Sequence, residues 1–123
     1  MVRPRRKKIE AAIHRYVERA VHAASDDLVS IILYGSQARG DARAESDIDL
    51  LTIIRRESPE LQRTLTEIAW QVQFEHGVVI SDVIRTAEQW ERMRARGFPF
   101  YRNIESEGIM LWNSTSAPTP AYA

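Results

Sequence analysis

The chain has 123 residues, no cysteine, and 17 basic against 17 acidic residues, for a formal net charge of zero. That length holds one core rather than two, and the missing cysteines exclude a disulfide framework and a thiolate metal site. The neutral balance argues against a molecule built to coat a nucleic-acid backbone. No apolar run reaches the length of a membrane span or a secretory leader, so the expectation is a soluble, cytoplasmic protein with no membrane partner.

Residues 1–8 form a basic arm containing Arg3, Arg5, Arg6, Lys7 and Lys8. From Ile9 an apolar residue returns every three or four positions through Ile13, Tyr16, Val17, Ala20, Val21 and Ala24, which predicts an amphipathic helix. Positive charge at a helix N-terminus is unfavourable, so the arm is expected to fray, to stay solvated or to find an acidic partner. Ser25-Asp26-Asp27 breaks the helix. Leu28 to Tyr34 is a continuous, β-branched apolar run and reads as a buried strand.

Gly35-Ser36 turns the chain, and Ser36 to Arg39 reads as a short helix stopped by Gly40. Residues 41–46 are polar and predict a loop; Asp47 to Ile54 predicts a second strand. Ser58-Pro59 is a helix start, with a capping hydroxyl and a proline in the first turn. That helix runs to His76-Gly77, with Leu61, Leu65, Ile68, Ala69 and Val72 on its apolar side and Trp70 and Phe74 as further candidates. A third strand is expected over Val78 to Arg85. A capping box, Thr86 and Gln89, opens a helix to Arg96 that Gly97 stops. Phe98 to Glu107 adds further helix, and Ile109 to Trp112 a last short strand. Trp70, Trp90 and Trp112 are expected to pack the core. Residues 113–123 form a Ser-, Thr-, Pro- and Ala-rich tail expected to be disordered. This order predicts one α/β (α+β) domain over residues 9–112, a small mixed sheet flanked by helices.

Two features of this order carry chemistry. Asp47 and Asp49 are two apart on a predicted strand, so both carboxylates share a face while Ile48 and Leu50 face the core. Adjacent carboxylates repel unless a cation lies between them, and hard oxygen donors suit Mg²⁺. Gly35-Ser36, at the end of the preceding strand, permits close backbone approach and offers a hydroxyl to a phosphate. Alone, an Asp-x-Asp recurs by chance and a Gly-Ser is most often a turn. Together, at the ends of two successive strands, they suggest a cleft for a nucleoside triphosphate and its metal. Arg39 could contact a phosphate or pair with an acidic loop residue; Arg43 reads as solvated and Ser46 as a loop cap. His14, His22 and His76 show no ligand spacing.

The stretch from Tyr34 to Leu50, YGSQARGDARAESDIDL, resembles the signature of minimal nucleotidyltransferases of the polymerase-β-like superfamily: Gly-Ser, ten residues, then Asp-x-Asp. Val78 to Met93 and Arg102 to Trp112 are similar to the family's third strand with its helix and to its closing segment. The resemblance implies the polymerase-β-like fold, with Gly35, Ser36 and Arg39 at the nucleotide. It implies Asp47, Asp49 and a third carboxylate as catalytic metal ligands for Mg²⁺, two ions in all. Asp82 is the candidate for that third position, since it is the acidic residue within the third strand; a strand-edge solubility role is the alternative.

The resemblance further implies ATP as substrate and transfer of AMP to a hydroxyl, with a HEPN-type toxin as partner in a toxin–antitoxin pair. Two other readings stand beside it. One is a binder that neutralises its partner by contact alone. The other is a small-molecule or RNA nucleotidyltransferase completed by a partner subunit or by homo-oligomerisation. The paired carboxylates argue against the first of these, and the basic arm favours RNA in the second.

Overall fold

The computed structural model describes residues 4–40 and 47–114. Helix α1 spans Pro4–Ala24 and leads through a 3-10 turn, Ser25–Asp27, into strand β1, Leu28–Tyr34. The short helix α2, Ser36–Arg39, follows at once, and β2 spans Ile48–Ile54. Then come α3 (Pro59–His76), β3 (Ile80–Thr86), α4 (Ala87–Arg96), α5 (Pro99–Glu107) and β4 (Ile109–Asn113). The four strands form one sheet in the order β3-β2-β1-β4. β1 runs antiparallel to both neighbours, and β2 and β3 run parallel, joined by the α3 crossover. This is the mixed sheet flanked by helices that the residue pattern predicts. No helix among the described residues is long and apolar enough to cross a membrane.

Local chemistry explains the boundaries. Ser58 Oγ accepts the Leu61 amide hydrogen at 3.1 Å and Pro59 occupies the first turn of α3. Thr86 and Gln89 form the reciprocal capping box of α4. Gly77 and Gly97 end these two helices in the left-handed conformation that glycine reaches without steric cost.

Each face of the sheet carries its own core. On one side, Ile48, Leu50 and Ile54 of β2 and Ile31 and Leu33 of β1 pack against Ile9, Ala12, Tyr16 and Ala20 of α1 and Leu65, Ile68 and Val72 of α3. On the other, Ile32, Leu51 and Ile53 pack against Ile104, with Trp90, Phe100 and Met110 half-buried around them. Leu50 is fully buried in the first core, and truncating such a side chain to alanine costs about 2–5 kcal/mol.

Several boundaries and two side chains depart from the sequence reading. α1 begins at Pro4, so Arg6, Lys7 and Lys8 lie within its first turns rather than in a separate arm. Arg6 pairs with Glu10 at 3.4 Å. Lys8 reaches the C-terminal end of α3, where its Nζ would stand 3.0 Å from a Cβ placed on Gly77, and the partial negative charge of that helix end favours it. Strand β3 starts at Ile80 rather than Val78. Trp70 is 58% exposed and Phe74 82%, stacked on each other along the outer side of α3 with centroids 6.3 Å apart. The buried stripe of α3 is completed by Leu65, Ile68, Ala69 and Val72, and the helical period carries positions 70 and 74 to the opposite side. Asn113 ends β4 and Ser114 is buried, so the first two residues of the expected tail, 113–123, belong to the fold. Residues 115–123 and the expected loop at 41–46, with Arg43 and Ser46, lie outside the described residues.

Candidate active site

Antiparallel pairing brings the end of β1 beside the start of β2, with Tyr34 opposite Asp49. Gly35 follows Tyr34 with φ +74°, a backbone conformation that side chains disfavour. The space beside it is filled: a Cβ on Gly35 would stand 2.3 Å from Asp49 Oδ2. Glycine is therefore required twice here, for the turn and for the carboxylate packed against it. The Gly35 carbonyl accepts the amide hydrogens of Ala38 and Arg39, each at 3.1 Å, closing α2 over the same end of the sheet. Ser36 is the first residue of α2 and is half-exposed.

Asp47 precedes β2 and is exposed, Ile48 is fully buried, and Asp49 is half-buried. The core takes the intervening isoleucine and leaves the two aspartates on the side away from α1 and α3. Burial, and behind it the negative charge of Asp47, push the Asp49 carboxyl above its ordinary range, and the Arg39 guanidinium pulls it partly back. Arg39 Nη1 also lies 3.2 Å from Glu107 Oε2, at the end of α5. One acidic partner of Arg39 thus comes from a distant helix, and the acidic residues of the loop lie outside the described residues. Tyr34 completes this end of the sheet. Its ring meets Phe100 edge-on at 5.5 Å, and its hydroxyl is pushed up to about 12 by burial first and then by the charges of Asp49 and Asp82.

Asp82 is placed differently. Parallel register sets Ser81 opposite Asp49 and Asp82 opposite Leu50, so Asp82 shares the α1 face with Leu50 and Thr52. There Tyr16 donates its hydroxyl hydrogen to Asp82 Oδ2 at 2.6 Å, and Thr52 Oγ1 donates to Oδ1 at 3.0 Å. Tyr16 and Thr52, both fully buried, also approach each other at 2.8 Å. With both hydroxyl hydrogens given to Asp82, the Tyr16–Thr52 contact has none; a protonated Asp82 that donates to Tyr16 would free the Tyr16 hydrogen for Thr52 and serve all three contacts. Burial accordingly raises the Asp82 carboxyl to about 6, against the opposing pull of its two hydrogen bonds. The structure gathers Gly35, Ser36, Arg39, Asp47 and Asp49 at one end of the sheet and does not bring Asp82 to them. Among the described residues no cluster of three or more His, Asp or Glu side chains forms a metal site.

Tyr16 and Thr52 were legible only as parts of apolar runs. Their signal was a hydroxyl inside each run, which needs a buried partner. Glu107 gave no local signal, because its contact with Arg39 spans most of the chain.

The model of the family described as "Nucleotidyltransferase domain" matches residues 14–110. Two proposed protein adenylyltransferases of Methanocaldococcus jannaschii are similar in sequence. One is 31% identical over 81 residues, covering 63% of this chain and 55% of its own length. The other is 29% identical over 103 residues, covering 84% and 97%. The chain thus spans little more than half of the first and nearly all of the second. Among solved structures, a chain in a toxin–antitoxin crystal structure with AMP-PNP aligns with a TM-score of 0.57 and 18% identity, covering 82% of this chain and 73% of that one. A chain from the complex of a tri-AMPylated Shewanella oneidensis HEPN toxin with its MNT antitoxin aligns at 0.52 and 14%, covering 89% and 75%. At those identities the likeness speaks for the fold. With a family model spanning most of the folded chain, and Gly35 packed against Asp49 at the junction of β1 and β2, this protein belongs to the nucleotidyltransferase domain family and has its polymerase-β-like fold.

Proposed function

We propose that this protein transfers AMP from ATP to a hydroxyl of a partner protein, a HEPN-type toxin, and so acts as the antitoxin of a pair. The observation that carries this reading is the contact between Gly35 and Asp49, which fits a triphosphate turn against a metal-binding carboxylate with no space for a side chain between them. The names of the relatives support AMP and a protein acceptor; the likeness to toxin–antitoxin complexes supports the partner.

The donor set fits Mg²⁺. Asp47 and Asp49 present hard oxygens on one side of the strand; burial first, and the charge of Asp47 second, raise the Asp49 carboxyl, and a cation between the two would favour its charged form. When bound, the metal supplies charge neutralisation of the phosphates and polarisation of the α-phosphorus. In this assignment Gly35 and Ser36 hold the triphosphate, with the Ser36 hydroxyl as donor. Arg39, steadied by Glu107, places a positive charge beside Asp49 and the incoming phosphates. The acceptor hydroxyl oxygen bonds to the α-phosphorus, the bond from that phosphorus to the α,β-bridging oxygen breaks, pyrophosphate leaves, and the hydroxyl proton passes to solvent. Asp82 enters as a positioning residue: through Thr52 it holds the strand that carries Asp49.

Labelled ATP, Mg²⁺ and a HEPN-type partner, incubated with the full chain, test the reading. Label should appear on the partner and vanish with Asp47→Ala and with Asp49→Ala. Tight binding of the partner without label, in the unsubstituted protein, would sink it in favour of neutralisation by contact.

A further inference from the structure

On the Asp49 face of the sheet, toward the opposite end of β1 and β2, α4 and α5 stand off the strands around a cavity of about 390 Å³. Ser30, on its floor, precedes Tyr34 by four residues, roughly 13 Å along the strand. The cavity is thus separate from the Gly35 turn. Its volume falls within the range of small-molecule pockets, about 300–1,000 Å³.

Three observations define what it would hold. Ile32, Ile53 and Met110 make an apolar floor, and the Trp90 and Tyr101 rings, with centroids 4.7 Å apart, make an aromatic wall. Ser30 is only 4% exposed, yet its hydroxyl has no hydrogen-bond partner among the described residues. A buried hydroxyl left unpaired is costly, so a ligand whose apolar end carries a hydroxyl or carbonyl would bind better than one without. The charged residues at the cavity are two carboxylates, Glu91 and Glu105, with no Lys, Arg or His in the lining. Glu91 Oε1 accepts from the Arg94 guanidinium, which also lies within charge range of Glu105 and Tyr101, and Glu105 accepts the Tyr101 hydroxyl, so two carboxylates against one guanidinium leave the rim an excess negative charge.

We propose that this cavity binds an organic ammonium ion with a compact aromatic or branched apolar body. The apolar part lies on the isoleucine floor, and the charge sits between the carboxylates and the faces of Trp90 and Tyr101, whose rings attract cations. The site lies apart from the Gly35 turn.

Phenethylamine is a suitable probe, titrated into the full chain carrying methyl-labelled methionine. Met110 lines the cavity and Met93 does not. The Met110 methyl resonance should shift saturably with Met93 unmoved. Hydrocinnamate, of similar size and opposite charge, should bind at least about tenfold more weakly. Glu105→Gln, a change at an exposed position that leaves the fold intact, should weaken the amine by about threefold to tenfold while leaving hydrocinnamate unaffected or improved. A Met110 shift that does not saturate, equal affinity for the two probes, or amine binding unchanged in Glu105→Gln would each overturn the assignment.

Discussion

Asp49 and Asp82 stand on neighbouring parallel strands, one position out of step, and that single step gives them opposite surroundings. Asp49 faces the open end of the sheet, beside Gly35, Arg39 and the charge of Asp47. Asp82 faces α1 and is closed in by two hydroxyl donors. In both, burial raises the carboxyl, but what opposes it differs: a charged guanidinium for Asp49 and neutral hydroxyl donors for Asp82. A carboxylate opposed by charge is ready to exchange partners with a cation. A carboxylate held by neutral hydroxyls is a structural clamp. The pair shows that residue type and strand membership do not assign a role; the face does.

The comparison can be broken from either side. Gly35→Ala should be the most damaging single change. It places a Cβ where Asp49 Oδ2 lies and sets alanine at positive φ, so transfer should fall by about a hundredfold or more, with about 1–3 kcal/mol lost in chemical denaturation. Asp82→Ala should act mainly on stability. It strands the Tyr16 and Thr52 hydroxyls in the core and should cost about 1–3 kcal/mol, while the folded fraction keeps transfer within about tenfold. A loss of activity as deep as that of Asp49→Ala, with stability intact, would move Asp82 into the metal site. Tyr16→Phe removes one donor and should cost about 1 kcal/mol.

The pH dependence sharpens the same contrast. Asp82 binds its proton more tightly folded, at about 6, than unfolded, near the ordinary aspartate value of 3.8. Between those values the native state carries more protons, so stability should fall as pH rises from about 4 through about 6 and then level off. Asp82→Asn should flatten that slope in urea titrations at a series of pH values. An unchanged slope would mean that the Tyr16–Asp82–Thr52 cluster is not its source. The smallest effect is expected at the rim. Glu107→Gln removes one partner of Arg39 at the surface, so stability should shift by less than about 1 kcal/mol, while the KM for ATP should move by a few-fold with kcat nearly constant.

Much of the fold was legible because its signals are local. Leu28–Tyr34, the Ser36–Arg39 turn of helix, the Ser58-capped α3 and the boxed α4 all fall where period, cap and glycine place them. The arm could not be separated from α1 by sequence, because the favourable end of α3 that Lys8 reaches lies some seventy positions away. Trp70 and Phe74 were drawn toward the core by their size, although their helical phase sets them outside it.

The sequence by itself determined the elements, their order and the proximity of a Gly-Ser turn to an Asp-x-Asp pair, since spacing along the chain and strand alternation are local properties. Only the tertiary structure decided which face Asp82 occupies, because parallel register is set by how α3 docks its crossover, and a shift of one residue inverts every side chain. The same holds for the bond between Arg39 and Glu107 and for the unpaired hydroxyl of Ser30. Each depends on segments far apart in sequence that packing alone brings together.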